Sequence, residues 1–289
     1  DEYFVESTGI MATDKWLKLP KRNPAWNETS ATTVWYYFST SGKMVSDGWS
    51  KIGGKYYYFD GDGAMQTGWV DDDTYYTNAD GVMQIGWAYL EDPDDTKKDD
   101  DEVKPGDDDE DHHWYYFQSS GKKYVPSLGG AKYKQYKIDG TYYCFDENGA
   151  MQTGWLNRGG TWYYLTGSGA MATGWYMVGG TWYYSNSDGT MATGWVKVGN
   201  TWYYMNGSGA MQTGWVKTAS GWYYLTGSGA MATGWYVVGG NWYYSNSDGT
   251  MQTGWVKVGN NWYYMDGSGA MAANRWIGNY YVTGSGAMA

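Results

Sequence analysis

"GWVKVGNTWYYMNGSGAMQTGW", residues 194–215, places three Trp and two Tyr in twenty-two positions, with Lys197 as its single charge. Gly199-Asn200 separates two runs of strand formers, a pattern that predicts a hairpin with a two-residue turn. Pairing across that turn sets Val198 opposite Thr201, Lys197 opposite Trp202, Val196 opposite Tyr203 and Trp195 opposite Tyr204. Strand alternation then puts Val196, Val198, Thr201 and Tyr203 on one face, and Trp195, Lys197, Trp202 and Tyr204 on the other. "NGSG" closes the unit as a turn. An isolated two-stranded hairpin is marginal in water, so each must bury a face against its neighbours. The Val/Tyr face is the expected core. Trp195, Trp202 and Tyr204 are then left beside Trp215, which begins the next hairpin.

The pattern recurs. Trp155, Trp175, Trp195, Trp215, Trp235 and Trp255 follow one another every 20 residues, each after a Gly. Trp162, Trp182, Trp202, Trp222, Trp242 and Trp262 lead the "WYY" seven residues later, and a Met stands four residues before each Gly-Trp tryptophan. Trp276 falls one residue out of step, and the last copy shortens to "WIGNYYVTGSGAMA". A longer period underlies the first: residues 155–214 share 46 of 60 residues with 215–274, against 37 when shifted by a single repeat. Duplication of a three-repeat block explains this, and such a block suits roughly threefold winding. The fold class expected is all-β, a solenoid of hairpin repeats of about 20 residues, roughly three to a turn.

The first half is irregular. Trp49 and Trp69 keep the spacing, with "KYYYF" between them, whereas Trp87 arrives after 18 because "VDDDTYY" is two residues short and Thr74 stands for the lead aromatic. "LPKRNPAWNETSATT" (19–33) expands one loop. "EDPDDTKKDDDEVKPGDDDED" (91–111) is an acidic insertion, flanked by the degenerate copies "HHWYYFQSSGKKY" and "KIDGTYYCFDENGAM". A degenerate domain over 1–150 and a regular one over 151–289 are therefore expected, both built on one motif.

Composition agrees with this reading. Gly supplies 44 of 289 residues, Tyr 32 and Trp 20, an aromatic density that argues against disorder. The net charge of −11 is local, since residues 91–111 carry thirteen acids and three Lys. The rest is nearly neutral and lacks the basic footprint of a nucleic-acid binder. The lone Cys144 precludes an intrachain disulfide framework. No run approaches the ~18 apolar residues of a membrane helix, so membrane insertion is not expected. The opening "DEYFVESTGIMATDKW" lies already inside a repeat, which fits removal of a leader or an upstream part.

Aromatic faces that converge with a Met and no nearby carboxylate suit a quaternary ammonium. Such a cation donates no hydrogen bond, and each ring face attracts it by about 0.5–2 kcal/mol. The thioether adds a polarizable wall. A sugar ring, which also stacks on Trp, is the rival ligand, and packing of hairpin on hairpin is the alternative with no ligand at all.

The 20-residue "GW…WYY…GAM.TGW" pattern resembles the choline-binding (cell-wall-binding) repeats of pneumococcal and related surface proteins and phage lysins, over nearly the whole chain. The resemblance implies a left-handed superhelix of hairpins that holds choline, or the phosphocholine of wall teichoic acids, between consecutive hairpins, on a secreted protein of the bacterial surface. Carried onto this sequence, a cage combines Trp195 and Trp202 with Trp215 or Tyr224 of the next hairpin and is lined by Met211. Equivalent sets are Trp155/Trp162/Trp175, Trp175/Trp182/Trp195, Trp215/Trp222/Trp235, Trp235/Trp242/Trp255 and Trp255/Trp262/Trp276, with Tyr184, Tyr204, Tyr224, Tyr244 and Tyr264 on the same faces. Trp49, Tyr56 and Trp69 form a further set in the degenerate half. Thr74, Asn279 and the copy "KQYKIDGTYYC", which lacks Gly-Trp, mark junctions not expected to bind. Toxin and glucosyltransferase repeats share Gly-Trp but not the regular Met, so a glucan- or host-glycan-binding protein remains the alternative, as does the wall-binding module of a lytic enzyme.

His112 and His113 adjoin the acidic run but match no metal-binding spacing, and a solvated loop is expected there. Asn27-Glu28-Thr29 and Asn206-Gly207-Ser208 match glycosylation sequons of little meaning in a bacterial surface protein. No nucleophile, paired carboxylate or metal set appears, so neither catalysis nor a cofactor is expected. The irregular half and its insertions point to contact with another surface or host protein.

Overall fold

The computed structural model describes residues 2–22, 32–93, 112–129 and 133–289. It divides into two compact units, Asp1–Thr153 with Gly167–Ala170, and Gly154–Thr166 with Met171–Ala289. Among the described residues there is no helix, and every strand pairs only with its neighbour in sequence as an antiparallel hairpin. In the first unit the hairpins are β1 (Lys15–Pro20) with β2 (Thr33–Phe38), β3 (Gly48–Ile52) with β4 (Lys55–Phe59), β5 (Gly68–Val70) with β6 (Tyr75–Thr77), β7 (Gly86–Glu91) with β8 (His112–Phe117), and β9 (Lys134–Ile138) with β10 (Thr141–Phe145). In the second they are β11 (Gly154–Arg158) with β12 (Thr161–Leu165), β13 (Gly174–Val178) with β14 (Thr181–Ser185), β15 (Gly194–Val198) with β16 (Thr201–Met205), β17 (Gly214–Thr218) with β18 (Gly221–Leu225), β19 (Gly234–Val238) with β20 (Asn241–Ser245), β21 (Gly254–Val258) with β22 (Asn261–Met265), and β23 (Arg275–Ile277) with β24 (Tyr280–Val282).

The register expected for residues 194–205 holds at all four pairs, and Gly194 opposite Met205 adds a fifth. At the turn, Gly199 takes φ 59° and Asn200 stays out of the left-handed region, as a type II′ turn requires. Gly179-Gly180, with φ 55° and 80°, makes the I′ form. The insertions do not separate repeats. Glu91 pairs with His112 and Pro20 with Thr33, so the acidic stretch and the 19–33 expansion are the ends of two hairpins whose bases remain paired. Residues 94–111 and most of 19–33, including the sequon Asn27-Glu28-Thr29, lie outside the described residues.

Within each unit, successive hairpins are linked by a backbone bond. The loop after a hairpin crosses back, and in most of them a Met N–H donates to the carbonyl of the lead "WYY" residue of the hairpin before. Met211 bonds Trp182 and Met231 bonds Trp202, each at 2.8 Å. The same Met bridges the last residue of its own second strand, as in Met205↔Met211. The strand-like loop thus pairs on both sides, which blunts the open edge of each hairpin.

The most buried side chains are those last strand residues, on the Val/Tyr face opposite the Gly of Gly-Trp. Leu165, Ser185, Met205, Leu225, Ser245 and Met265 are all 0% exposed. Their order, Leu-Ser-Met twice, gives the 60-residue period a packing meaning. Where the residue is Ser, the first strand carries Tyr176 or Tyr236 in place of Val196, Val216 or Val256. The Tyr hydroxyl reaches the Ser Oγ, at 3.1 Å for Tyr176 with Ser185 and 2.9 Å for Tyr236 with Ser245. The phenol fills the volume that Met or Leu fills elsewhere, and the buried hydroxyls satisfy each other.

This compensation is testable. Tyr176→Val leaves a void and an unpaired Ser185 hydroxyl and is expected to cost about 2–4 kcal/mol. Tyr176→Val with Ser185→Met restores the Val196/Met205 pairing and is expected to recover most of that loss in urea unfolding. Equal destabilisation by the single and double variants would show that the two positions are not coupled.

Candidate functional site

Within each unit, consecutive hairpins stack with unlike faces together. The Trp face of one meets the Val/Tyr face of the next, and this decides which rings converge. Trp195 lies against Trp202 of its own hairpin (centroids 6.5 Å, 89°) and against Tyr223 of the following one (4.7 Å, 63°). The third ring is therefore the middle Tyr of the next "WYY", not Trp215 or Tyr224. Those two sit on the outward face of their own hairpin and belong to the next junction. The same alternation assigns Met231 to this set through its bond to Trp202, whereas Met211 lies at Trp182.

The arrangement repeats across the second unit. Trp155, Trp175, Trp195, Trp215, Trp235 and Trp255 meet Tyr183, Tyr203, Tyr223, Tyr243, Tyr263 and Tyr280 at centroid distances of 4.7–5.6 Å. Trp162, Trp182, Trp202, Trp222, Trp242 and Trp262 form the outer wall, half in solvent; Trp202 is 39% exposed. Each accepts the backbone bond of a Met: Met191, Met211, Met231, Met251, Met271 and Met288, all at 2.8 Å. Two of these sets are open clefts of ≈ 270 Å³ and ≈ 280 Å³, walled by Trp175, Trp182, Tyr203, Met211 and Ser228, and by Trp255, Trp262, Tyr280 and Met288. No carboxylate lines either. Gly209, at φ 82°, makes room for the Met191 side chain, because a Cβ there would collide with its Sδ and Cε.

Tyr184, Tyr204, Tyr224, Tyr244 and Tyr264 do not line these two clefts. They are the cross-strand partners of the first Trp of their hairpins (Trp195–Tyr204, 5.0 Å). Tyr164 and Tyr224 also stack on Tyr176 and Tyr236 of the next hairpin (5.2 Å, 7°; 5.4 Å, 11°). They support the Trp from behind. Trp276, expected as the third ring of the last set, is instead 68% exposed, and Tyr280 takes that place.

In the first unit, Trp49 and Tyr56 converge with Tyr75 (Trp49–Tyr75, 5.2 Å) and Met83 rather than with Trp69. Two complete sets there escaped the sequence reading. Trp16, Trp35, Tyr57 and Met65 wall a cleft of ≈ 350 Å³ with Ala79 and Asp80. Trp87 meets Trp114 (6.5 Å) and Tyr143 (4.7 Å), and Met151 bonds Trp114. Each has an insertion between its two Trp, which hid the seven-residue spacing. The hairpin of β9 and β10 carries Gln135 and Cys144 where the others carry Trp and Tyr, so its outward face offers no first Trp.

Carboxylates near the turns are engaged locally. Asp188 and Asp248 accept from the Thr190 and Thr250 hydroxyls at 2.6 and 2.5 Å and from the backbone N–H groups of the same Thr, which holds them below the usual carboxylate range. His112 and His113 are strand residues, paired with Glu91 and Leu90. Among the described residues, no three His, Cys, Asp or Glu gather as a metal site would require.

Burial pushes the Tyr176 and Tyr236 phenols above 10.0, opposed by the hydrogen bonds from Ser185 and Ser245. A phenol held higher in the folded state than in the unfolded one stabilises below pH ~10 and loses that contribution as pH rises through the folded value. Tyrosinate absorbance is therefore expected to show a late-ionising group that titrates together with loss of structure, shifted further up by Ser185→Ala. Uniform ionisation near pH ~10 with the fold intact would contradict this.

Known proteins can be set beside this geometry. The choline-binding repeat family matches residues 46–84, 134–174, 172–211, 192–233 and 232–276, and the putative cell wall binding repeat matches 34–44 and 111–123. CbpJ from Streptococcus pneumoniae TIGR4 is similar over 95% of this chain and 100% of its own (32% identity, TM-score 0.58). CbpF from Streptococcus pneumoniae, in complex with ipratropium, is similar over 89% and 96% (30%, TM-score 0.55). The modular autolysin LytC of the same species, in complex with a synthetic peptidoglycan ligand, is similar over 82% of this chain but only 51% of its own (25%, TM-score 0.51). No curated protein matches.

Proposed function

The chain belongs to the choline-binding repeat family, and from that premise we propose that its ring clusters are cages for the quaternary ammonium of choline, through which it attaches to phosphocholine-bearing teichoic acid of the bacterial wall. The observation that carries this reading is the carboxylate-free cleft of Trp175, Trp182, Tyr203 and Met211. Three ring faces supply the negative quadrupole that a trimethylammonium needs, the thioether supplies a soft wall, and nothing charged competes for it. Its open side leaves room for the phosphate and polymer to stay in water. Each cage binds weakly by itself. Several in sequence bind with avidity if one polymer, or several side chains of the wall, reach them together.

The role is binding without catalysis, on a secreted, wall-associated protein. The likeness to the autolysin concerns half of that chain and brings no reaction with it. The first unit keeps wall binding at Trp16/Trp35 and Trp87/Trp114 while the insertions extend the ends of those same hairpins. This arrangement lets the irregular half contact another surface or host protein without giving up its hold on the wall.

Choline titration by calorimetry, with isomaltose oligosaccharides in parallel, tests the reading. Saturable heat with choline alone is expected. Tyr223→Leu, which removes a ring and keeps apolar bulk, is expected to weaken one site by about 1–2 kcal/mol, a factor of roughly 5–30. A response to the glucan without one to choline would instead make the rings a sugar platform.

A further inference from the structure

One junction of the first unit has a Lys where the others described above have a Met. In the stack of the β5/β6 and β7/β8 hairpins, Trp69 meets Tyr115 at 5.1 Å and 83°, the pair that elsewhere forms two walls of a cage. The residue in the place of the Met is Lys123. Its N–H donates to the Thr74 carbonyl at 2.8 Å, and it bridges Phe117, the two backbone contacts that Met231 makes with Trp202 and Leu225. Its side chain turns inward. Nζ stands 4.7 Å from the Trp69 ring centroid and 5.3 Å from that of Tyr115, and the residue is only 8% exposed. The other ammonium groups found on aromatic rings among the described residues, such as Lys197 on Trp202, come from exposed cross-strand neighbours.

We propose that Lys123 is a resident cation that occupies this cage and closes it to external choline, so that the joint between these two hairpins is held without ligand. The inference rests on the reading of the other clefts as cation cages. A tethered ammonium loses no translational freedom on entering the site, so two rings suffice where a free ligand needs three. This accounts for Thr74. The hairpin is two residues short, and its end, Asp71–Thr74, runs through three successive Asp at φ 51–58°, a conformation non-glycine residues rarely adopt. The outer Trp is lost with the deletion, and an internal cation replaces the ligand that this Trp would have helped to hold.

The test uses the full chain and two readouts. In NMR spectra of the wild type, the Lys123 ε-methylene protons, assigned by their absence in Lys123→Met, are expected upfield through the ring currents of Trp69 and Tyr115. A random-coil position would overturn the proposal whatever choline does. In calorimetry, Lys123→Arg with Thr74→Trp is expected to keep the wild-type choline stoichiometry, and Lys123→Met with Thr74→Trp, which removes the resident cation and restores the third ring, to gain one choline per chain. Unchanged stoichiometry in the Met/Trp variant, with the other sites still binding, would also overturn it. Upfield ε-methylene protons in a chain that binds no choline anywhere would support the resident cation and refute the choline reading of the other clefts.

Discussion

Each hairpin has two different faces and must bury both, and the direction in which it stacks decides everything downstream. The 2.8 Å bond from a loop Met to the lead "WYY" residue of the hairpin before sets that direction. With unlike faces together, the Val/Tyr face of one hairpin supplies a packing surface and one ring, and the Trp face of its neighbour supplies two more. The core and the open clefts are then the inner and outer parts of one junction. Tyr176 or Val196 packs at the inside, and Trp182 or Trp202 stands at the water's edge. Burial of the inner part supplies the stability of a chain with little aliphatic core. The outer part is left open.

The long period shows how strictly the inner part is filled. A Ser at 185 or 245 would be a buried hydroxyl next to a void if the first strand carried Val. Tyr176 and Tyr236 remove both problems at once, and each also stacks on the outward Tyr of the preceding hairpin. Variation inside the junction is thus compensated inside it, and the outer Trp, Tyr and Met stay constant through all six sets of the second unit.

Much of this was legible in residues 194–215. The two-residue turn, the register and the two faces follow from period-2 alternation around Gly199-Asn200, because a hairpin is a local structure. Which faces meet is not local, and there the reading went astray. Placing Trp215 or Tyr224 in the cage with Trp195 sets like faces together, whereas the stacking of unlike faces brings Tyr223 to Trp195 and leaves Trp215 for the next junction. The sets at Trp16/Trp35 and Trp87/Trp114 were hidden for another reason. A count of spacing between Trp fails when the chain between them is lengthened, yet strand pairing tolerates any length at a hairpin end. The role of Lys123 had no signal in the repeat pattern beyond its standing where Met was due.

A crystal structure of the chain grown with choline tests the central claim most directly. The account predicts a trimethylammonium enclosed by Trp195, Trp202 and Tyr223 beside Met231, repeated at the other complete sets and missing from the junction of Trp69 and Lys123. Choline bound against Trp215 and Tyr224 instead, or clefts that stay empty at saturating choline, would contradict it.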